Sequence, residues 1–96
     1  MKRPRLLDVF GLMIPIEYVD PDTIGGDYGE YCREFKTIKI NEELKSHTMI
    51  QTIIHELGHA IFDRAGFNQS IGPELEEVLC ETFATIIEEN FILKTK

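Results

Sequence analysis

The chain is short of positive charge: ten lysines and arginines stand against 17 aspartates and glutamates, a formal net charge of −7 over 96 residues. A surface of that sign argues against nucleic acid as a partner, since phosphate backbones are met by basic patches. The one basic cluster, Lys2-Arg3-Pro4-Arg5, lies at a chain end, where charges are ordinarily just solvated. Cysteine is scarce as well. Cys32 and Cys80 are far apart and lack Cys-x-x-Cys spacing, so free thiols are expected rather than a disulfide framework or a thiolate metal site. Long apolar runs are missing too. The segment Leu6 to Ile16 is interrupted by Asp8, is too short to span a bilayer, and is followed by no small-x-small cleavage site. The expectation is a cytoplasmic protein with no membrane partner. Repeats, low-complexity tracts and linkers are absent, and the length suits a single domain over residues 1–96 with one modest core.

Against that background stands His55-Glu56-Leu57-Gly58-His59, an H-E-x-x-H string inside a helical stretch. On a helix the two histidines are one turn apart, so both imidazoles leave one face and can grip one metal ion. Glu56 falls about 100° around from His55, beside the metal, where a general base for water is needed.

The surrounding pattern is α+β. Met13 to Val19 reads as a strand ending at Asp20-Pro21-Asp22, and Tyr28 to Arg33 with Lys36 to Ile40 reads as a hairpin. This predicts a small antiparallel sheet of about three strands packed on the metal-motif helix. That helix starts near Ser46 to Thr48, with Thr48 and Gln51 spaced as a capping box, and stops at Gly66. Ile50, Ile53, Ile54, Leu57, Ala60 and Ile61 form its apolar stripe, almost opposite His55 and His59. A C-terminal glutamate-bearing helix opens at Gly72-Pro73, with apolar positions Leu75, Leu79, Phe83, Ile86 and Leu93. Beside these, Glu77, Glu81, Ala84 and Glu88 line up on another face, which suits a helix that approaches a dihistidine site closely.

A catalytic zinc ion takes three protein ligands, so a third is needed. His47 lies two turns upstream, too far back to complete the set. The last helix carries no aspartate; Glu76 points toward its apolar side and Glu88 lies two to three turns further along. Glu77 and Glu81 remain.

At this point a family resemblance enters. H-E-L-G-H followed by a glutamate helix resembles the gluzincin class of zinc peptidases. Together with Gly29-x-Tyr31 and Thr37-Ile38-Lys39-Ile40-Asn41, it is similar to the ImmA/IrrE-type metallopeptidases and to minimal single-domain gluzincins, over roughly residues 11 to 88. In that group the third ligand is the first Glu of an E-x-E-A-N-x-F-A helix. Glu77, Phe83 and Ala84 match that pattern, while Leu79, Cys80 and Glu81 depart from it. The resemblance implies Glu77 as the ligand, with Glu81 in the Asn/Asp place, receiving the other N–H of a ligand histidine. The departure at Glu81 leaves the two roles exchangeable.

The activity so implied is a zinc-dependent endopeptidase with one Zn2+, Glu56 as general base, and a protein or peptide as substrate. Substrate is expected to add as a strand along an exposed edge, with Lys36 to Ile40 as that edge. Tyr28, Tyr31, Arg33 and His47 are the candidate oxyanion donors. Two other readings stand beside it: a zinc-binding structural or interaction module in which Glu81 or Cys80 closes the fourth position, and a metal-free interaction domain. The sequence also leaves open a homodimer, and a latent state held by the tail Ile92 to Lys96.

Overall fold

A two-residue turn sets the first strand pair. Phe10 (φ 53°) and Gly11 (φ 86°) are both left-handed, as a type I′ hairpin turn requires, and the Gly11 N–H donates to the Asp8 side chain at 2.8 Å. The computed structural model of the chain describes residues 3–90. Its elements are β1 (Leu6–Val9), β2 (Leu12–Val19), β3 (Gly29–Cys32), β4 (Thr37–Asn41), α1 (Ser46–Ala65) and α2 (Pro73–Asn90). Short 3-10 turns occupy Pro21–Ile24 and Phe67–Gln69. Leu93 and the tail Ile92 to Lys96 lie outside the described residues.

The α+β class holds, but the sheet differs from expectation in two ways. It has four strands, in the order β1-β2-β4-β3, and it is mixed: β1 and β3 pair antiparallel with their neighbours, while β2 and β4 run parallel. The extra strand β1 is short and mostly exposed, so its alternation is weak in the sequence. The parallel pair arises because the chain leaves β2 through the Pro21–Ile24 turn, forms β3, and only then returns to lie beside β2. Pro15, which has no N–H to give, sits where the ladder to β1 ends and that to β4 begins. The strand expected at the edge, Lys36 to Ile40, is therefore interior, and β3 is the edge beside α1.

The register decides what that edge offers. The Asn41 N–H donates to the Tyr28 carbonyl at 2.8 Å, so Glu30 and Cys32 bond to β4 in the alternating pattern of antiparallel strands. The backbone groups of Gly29 and Tyr31 are then turned to the open side.

One sheet face carries Val9, Ile14, Ile16, Ile38 and Ile40, and α1 covers it with Met49, Ile53, Ala60 and the half-buried Leu57. Ile61, at the margin of the expected stripe, is exposed, and Met49 is buried instead. The Thr48–Gln51 capping box does not form. The helix begins at Ser46 with Lys45 as an N-cap that makes no side-chain bond, while the Thr48 carbonyl accepts from the Thr52 hydroxyl and Gln51 donates to Thr85. Gly66 ends α1 in the left-handed region, as expected.

As expected, α2 approaches α1 through the face that carries Ala84 and the glutamates, and its apolar stripe is left largely outside. Leu75, Val78, Phe83 and Ile86 are 49–60% exposed, and the helix packs inward through Cys80 and Ala84, both fully buried. The cause is distance. A Cβ on Gly58 would lie 2.8 Å from the Cys80 Sγ, so α1 and α2 approach as closely as a glycine permits. Leucine or phenylalanine at that contact would hold the helices apart. Gly58→Val is expected to destabilise the fold by about 1–3 kcal/mol through overpacking. In urea unfolding, Gly58→Ala combined with Cys80→Ala should cost less than the sum of the two alone, because Sγ is the atom the new methyl meets first.

Candidate metal centre

The close approach of α2 lays three carboxylates from its first two turns, Glu76, Glu77 and Glu81, on the histidine face of α1. The His55 Nε2 lies 2.7 Å from one Glu77 oxygen, and the His59 Nε2 lies 3.0 Å from the other. The outward nitrogens are taken as well: the His55 Nδ1 meets Glu81 at 2.9 Å and the His59 Nδ1 meets Glu76 at 2.5 Å. Glu81 and Glu76 are thus placed to accept an Nδ1–H from each ring. A neutral imidazole that donates from Nδ1 to a carboxylate presents a lone pair at Nε2.

Two such lone pairs and the Glu77 carboxylate converge, with ligand atoms all within 4.8 Å of one another. Three acceptors facing one another repel unless a cation lies among them. Two imidazole nitrogens and one carboxylate oxygen form a donor set suited to a borderline divalent ion. His55, His59 and Glu77 can therefore hold a metal, and Glu76 and Glu81 fix the imidazoles from behind.

Glu56 is buried beside this group. Burial pushes its carboxyl above the usual range; the imidazoles of His55 and His59 pull it back, Glu77 raises it again, and the Tyr31 backbone N–H directed at it favours the charge. The group opens on a cleft of about 1190 Å³, floored by Thr52 and Glu56 and rimmed by Tyr28, Gly29 and Tyr31 of the edge strand.

The structure places the other candidates as follows. Glu81, the alternative ligand, sits on the far nitrogen of His55. Glu76 does not face the apolar side, as its projection suggested; only 14% of its side chain is exposed, and it holds His59. His47 is outside the cleft. It occupies the first turn of α1, 72% exposed, and pairs with Glu88 at 2.8 Å, so it is no oxyanion donor. Tyr31 lines the cleft, but its hydroxyl donates to Asp63 at 2.6 Å and is turned from the metal group. Arg33 is also drawn to Asp63, at 3.4 Å, whereas Tyr28 stands exposed on the rim. Cys80 cannot close a fourth position. Burial, then the nearby carboxylates of Glu76, Glu77, Glu56 and Glu81, push its thiol up to about 12, and its Sγ packs against Gly58. Both cysteines are free thiols.

The sequence profile of the IrrE N-terminal-like domain, a peptidase family (Peptidase_M78), matches residues 9–96. The chain belongs to this family. No curated protein and no solved structure matches it. The family is one of metallopeptidases, and this IrrE-type domain carries a His/Glu group able to hold a metal. Among the described residues, no helix is long and apolar enough to cross a membrane.

Two contributions around this centre go beyond the sequence expectations. Glu76, projected toward the apolar side of the helix, holds His59. Asp63 follows His59 by four residues, a spacing that puts it on the same helix face and was there to be read. Burial alone would push the Asp63 carboxyl up, but hydrogen bonds from Lys36 and Tyr31 and the charges of Lys36 and Arg33 hold it below the usual range. A depressed carboxyl stabilises the fold above the unfolded-state pKa of about 3.9, and that contribution fades as pH falls through the lower folded value. Asp63→Asn should therefore cost about 1–2 kcal/mol at pH 7, because the bonds from Tyr31 and Lys36 then end on a neutral acceptor. Lys36 and Arg33 are 44% and 65% exposed, and solvent screens their share. In the metal-free protein, followed by urea unfolding, the gap between wild type and Asp63→Asn should close below about pH 4.

Proposed function

We propose that this IrrE-type domain is a zinc-dependent endopeptidase of gluzincin type, acting in the cytoplasm on protein or peptide chains. The observation that carries the reading is the convergence of His55, His59 and Glu77 beside the buried carboxylate of Glu56. His55 and His59 bind one zinc ion through Nε2, and Glu77 binds it through a carboxylate oxygen. Bound there, zinc supplies a Lewis acid that activates water and polarises the scissile carbonyl.

The remaining steps belong to the chain's own residues. Glu56 takes the proton from the attacking water and passes it to the leaving amine. Its burial suits the first half of that task, because a carboxylate pushed above its usual range is the stronger base toward a water proton. Glu76 and Glu81 keep the histidines in the tautomer that binds metal. The open edge of β3 supports an extended substrate, because the backbone groups of Gly29 and the Tyr31 carbonyl are free to pair with an added strand. Gly29 lets this edge strand lie close on the metal-motif helix, since a Cβ there would lie 2.8 Å from the Thr52 methyl.

A second reading, a zinc-binding interaction module, has one observation on its side: the exposed apolar face of α2 formed by Leu75, Val78, Phe83 and Ile86. Metal content and cleavage separate the two. The purified protein is expected to carry one zinc ion, measured by atomic emission after growth with zinc. Glu56→Gln should retain that zinc while cleavage of an unfolded protein substrate falls about 10²–10⁴-fold. His59→Ala should lose the zinc. Glu81→Ala and Glu76→Ala should weaken zinc binding by about 10–100-fold, and Glu77→Ala by more. A larger loss from Glu81→Ala than from Glu77→Ala would exchange their roles, and a protein without zinc would remove both readings.

A further inference from the structure

Asp63 gathers three residues of the β3–β4 hairpin onto the metal-motif helix. It stands one turn beyond His59, with its side chain only 10% exposed. It accepts from the Tyr31 hydroxyl at 2.6 Å and the Lys36 ammonium at 2.7 Å, and lies 3.4 Å from the Arg33 guanidinium. Lys36 is held in the left-handed region at φ 52°, a conformation that costs a residue with a side chain. The hairpin turn is therefore fastened at a strained position, by a charge on the helix that carries His55, Glu56 and His59.

An edge strand needs such a fastening. β3 has a ladder on one side only, so its outer side is held by contacts with α1. Among these are the tight approach of Gly29 to Thr52, the bonds to Asp63, and the Tyr31 backbone N–H toward Glu56. Tyr31 joins both functions. Its hydroxyl is on Asp63, while its backbone N–H is directed at Glu56.

We propose that Asp63 is a positioning residue which, acting through Tyr31, sets the distance between the open edge of β3 and Glu56. It thereby sets the register in which a peptide chain crosses the cleft. This rests on the peptidase reading above, and Asp63 itself touches neither metal nor substrate.

The test compares Asp63→Ala, Asp63→Asn and Tyr31→Phe with wild type, all zinc-loaded. Tyr31→Phe keeps the ring packing and so serves where Asp63→Ala fails to fold. Zinc affinity, by competition with a chromophoric chelator, is expected within twofold of wild type. Acetohydroxamate, which reaches only the metal, should bind within twofold. A dipeptidyl hydroxamate, which also pairs with the edge strand, should bind at least tenfold more weakly to Asp63→Ala and Tyr31→Phe. Asp63→Asn, which keeps an acceptor for Tyr31, should fall between. Equal losses for both hydroxamates, or none for either, would overturn the proposal, since a merely structural role does not separate them. Amide exchange over residues 28–36 of the metal-free protein should quicken at least tenfold in Tyr31→Phe and Asp63→Ala; unchanged exchange overturns the clamp. A wild type that binds neither hydroxamate would sink the peptidase reading, and the exchange comparison would then decide the clamp on its own.

Discussion

The domain depends on how closely α2 can lie against α1. The Cys80 thiol rests where a side chain on Gly58 would have been, and this contact brings Glu76, Glu77 and Glu81 onto two imidazoles. A carboxylate side chain is short. An ångström of extra separation between the helices would take the carboxylates out of hydrogen-bond reach. The sheet has the complementary task. It absorbs the large side chains of α1, leaving the histidine face free for a partner with small residues.

That division explains the unusual surface of α2. A helix whose inner face is Cys80 and Ala84 has nowhere to bury Leu75, Val78, Phe83 and Ile86, so they remain half-exposed. The usual rule that the apolar stripe of an amphipathic helix faces the core fails here because the close Gly58–Cys80 contact and the His–Glu pairs, rather than hydrophobic area, select the contact face. The same priority appears on α1, where Thr52 and Glu56 are buried against the edge strand although both are polar. Polar groups buried at a cleft floor cost stability, and they persist where they have chemistry to perform.

Much of this was legible beforehand. The spacing of His55 and His59 identified the face, Gly66 and Pro73 marked helix ends, and alternation in Thr37–Asn41 marked a strand. Glu77 sits where the family resemblance put it, against both Nε2 atoms. What could not be read was the pairing that distance in sequence conceals. Parallel pairing of β2 with β4 leaves no local signature, and neither does the choice of β3 as the edge. Helical projection set Glu76 on the apolar side of α2, yet it borders the face that Cys80 and Ala84 turn inward and so reaches His59. His47 failed as a donor for a similar reason: its partner Glu88 belongs to the far end of α2, a contact only the helix packing creates.

The central claim is that two imidazole nitrogens and one carboxylate of this chain bind zinc, with no thiolate. Zinc K-edge X-ray absorption on the zinc-loaded protein tests it most directly. The account predicts two histidine nitrogens and oxygen neighbours at about 2.0–2.2 Å, and no sulfur. A sulfur shell near about 2.3 Å would contradict it, because it would require Cys80 to leave its buried place against Gly58.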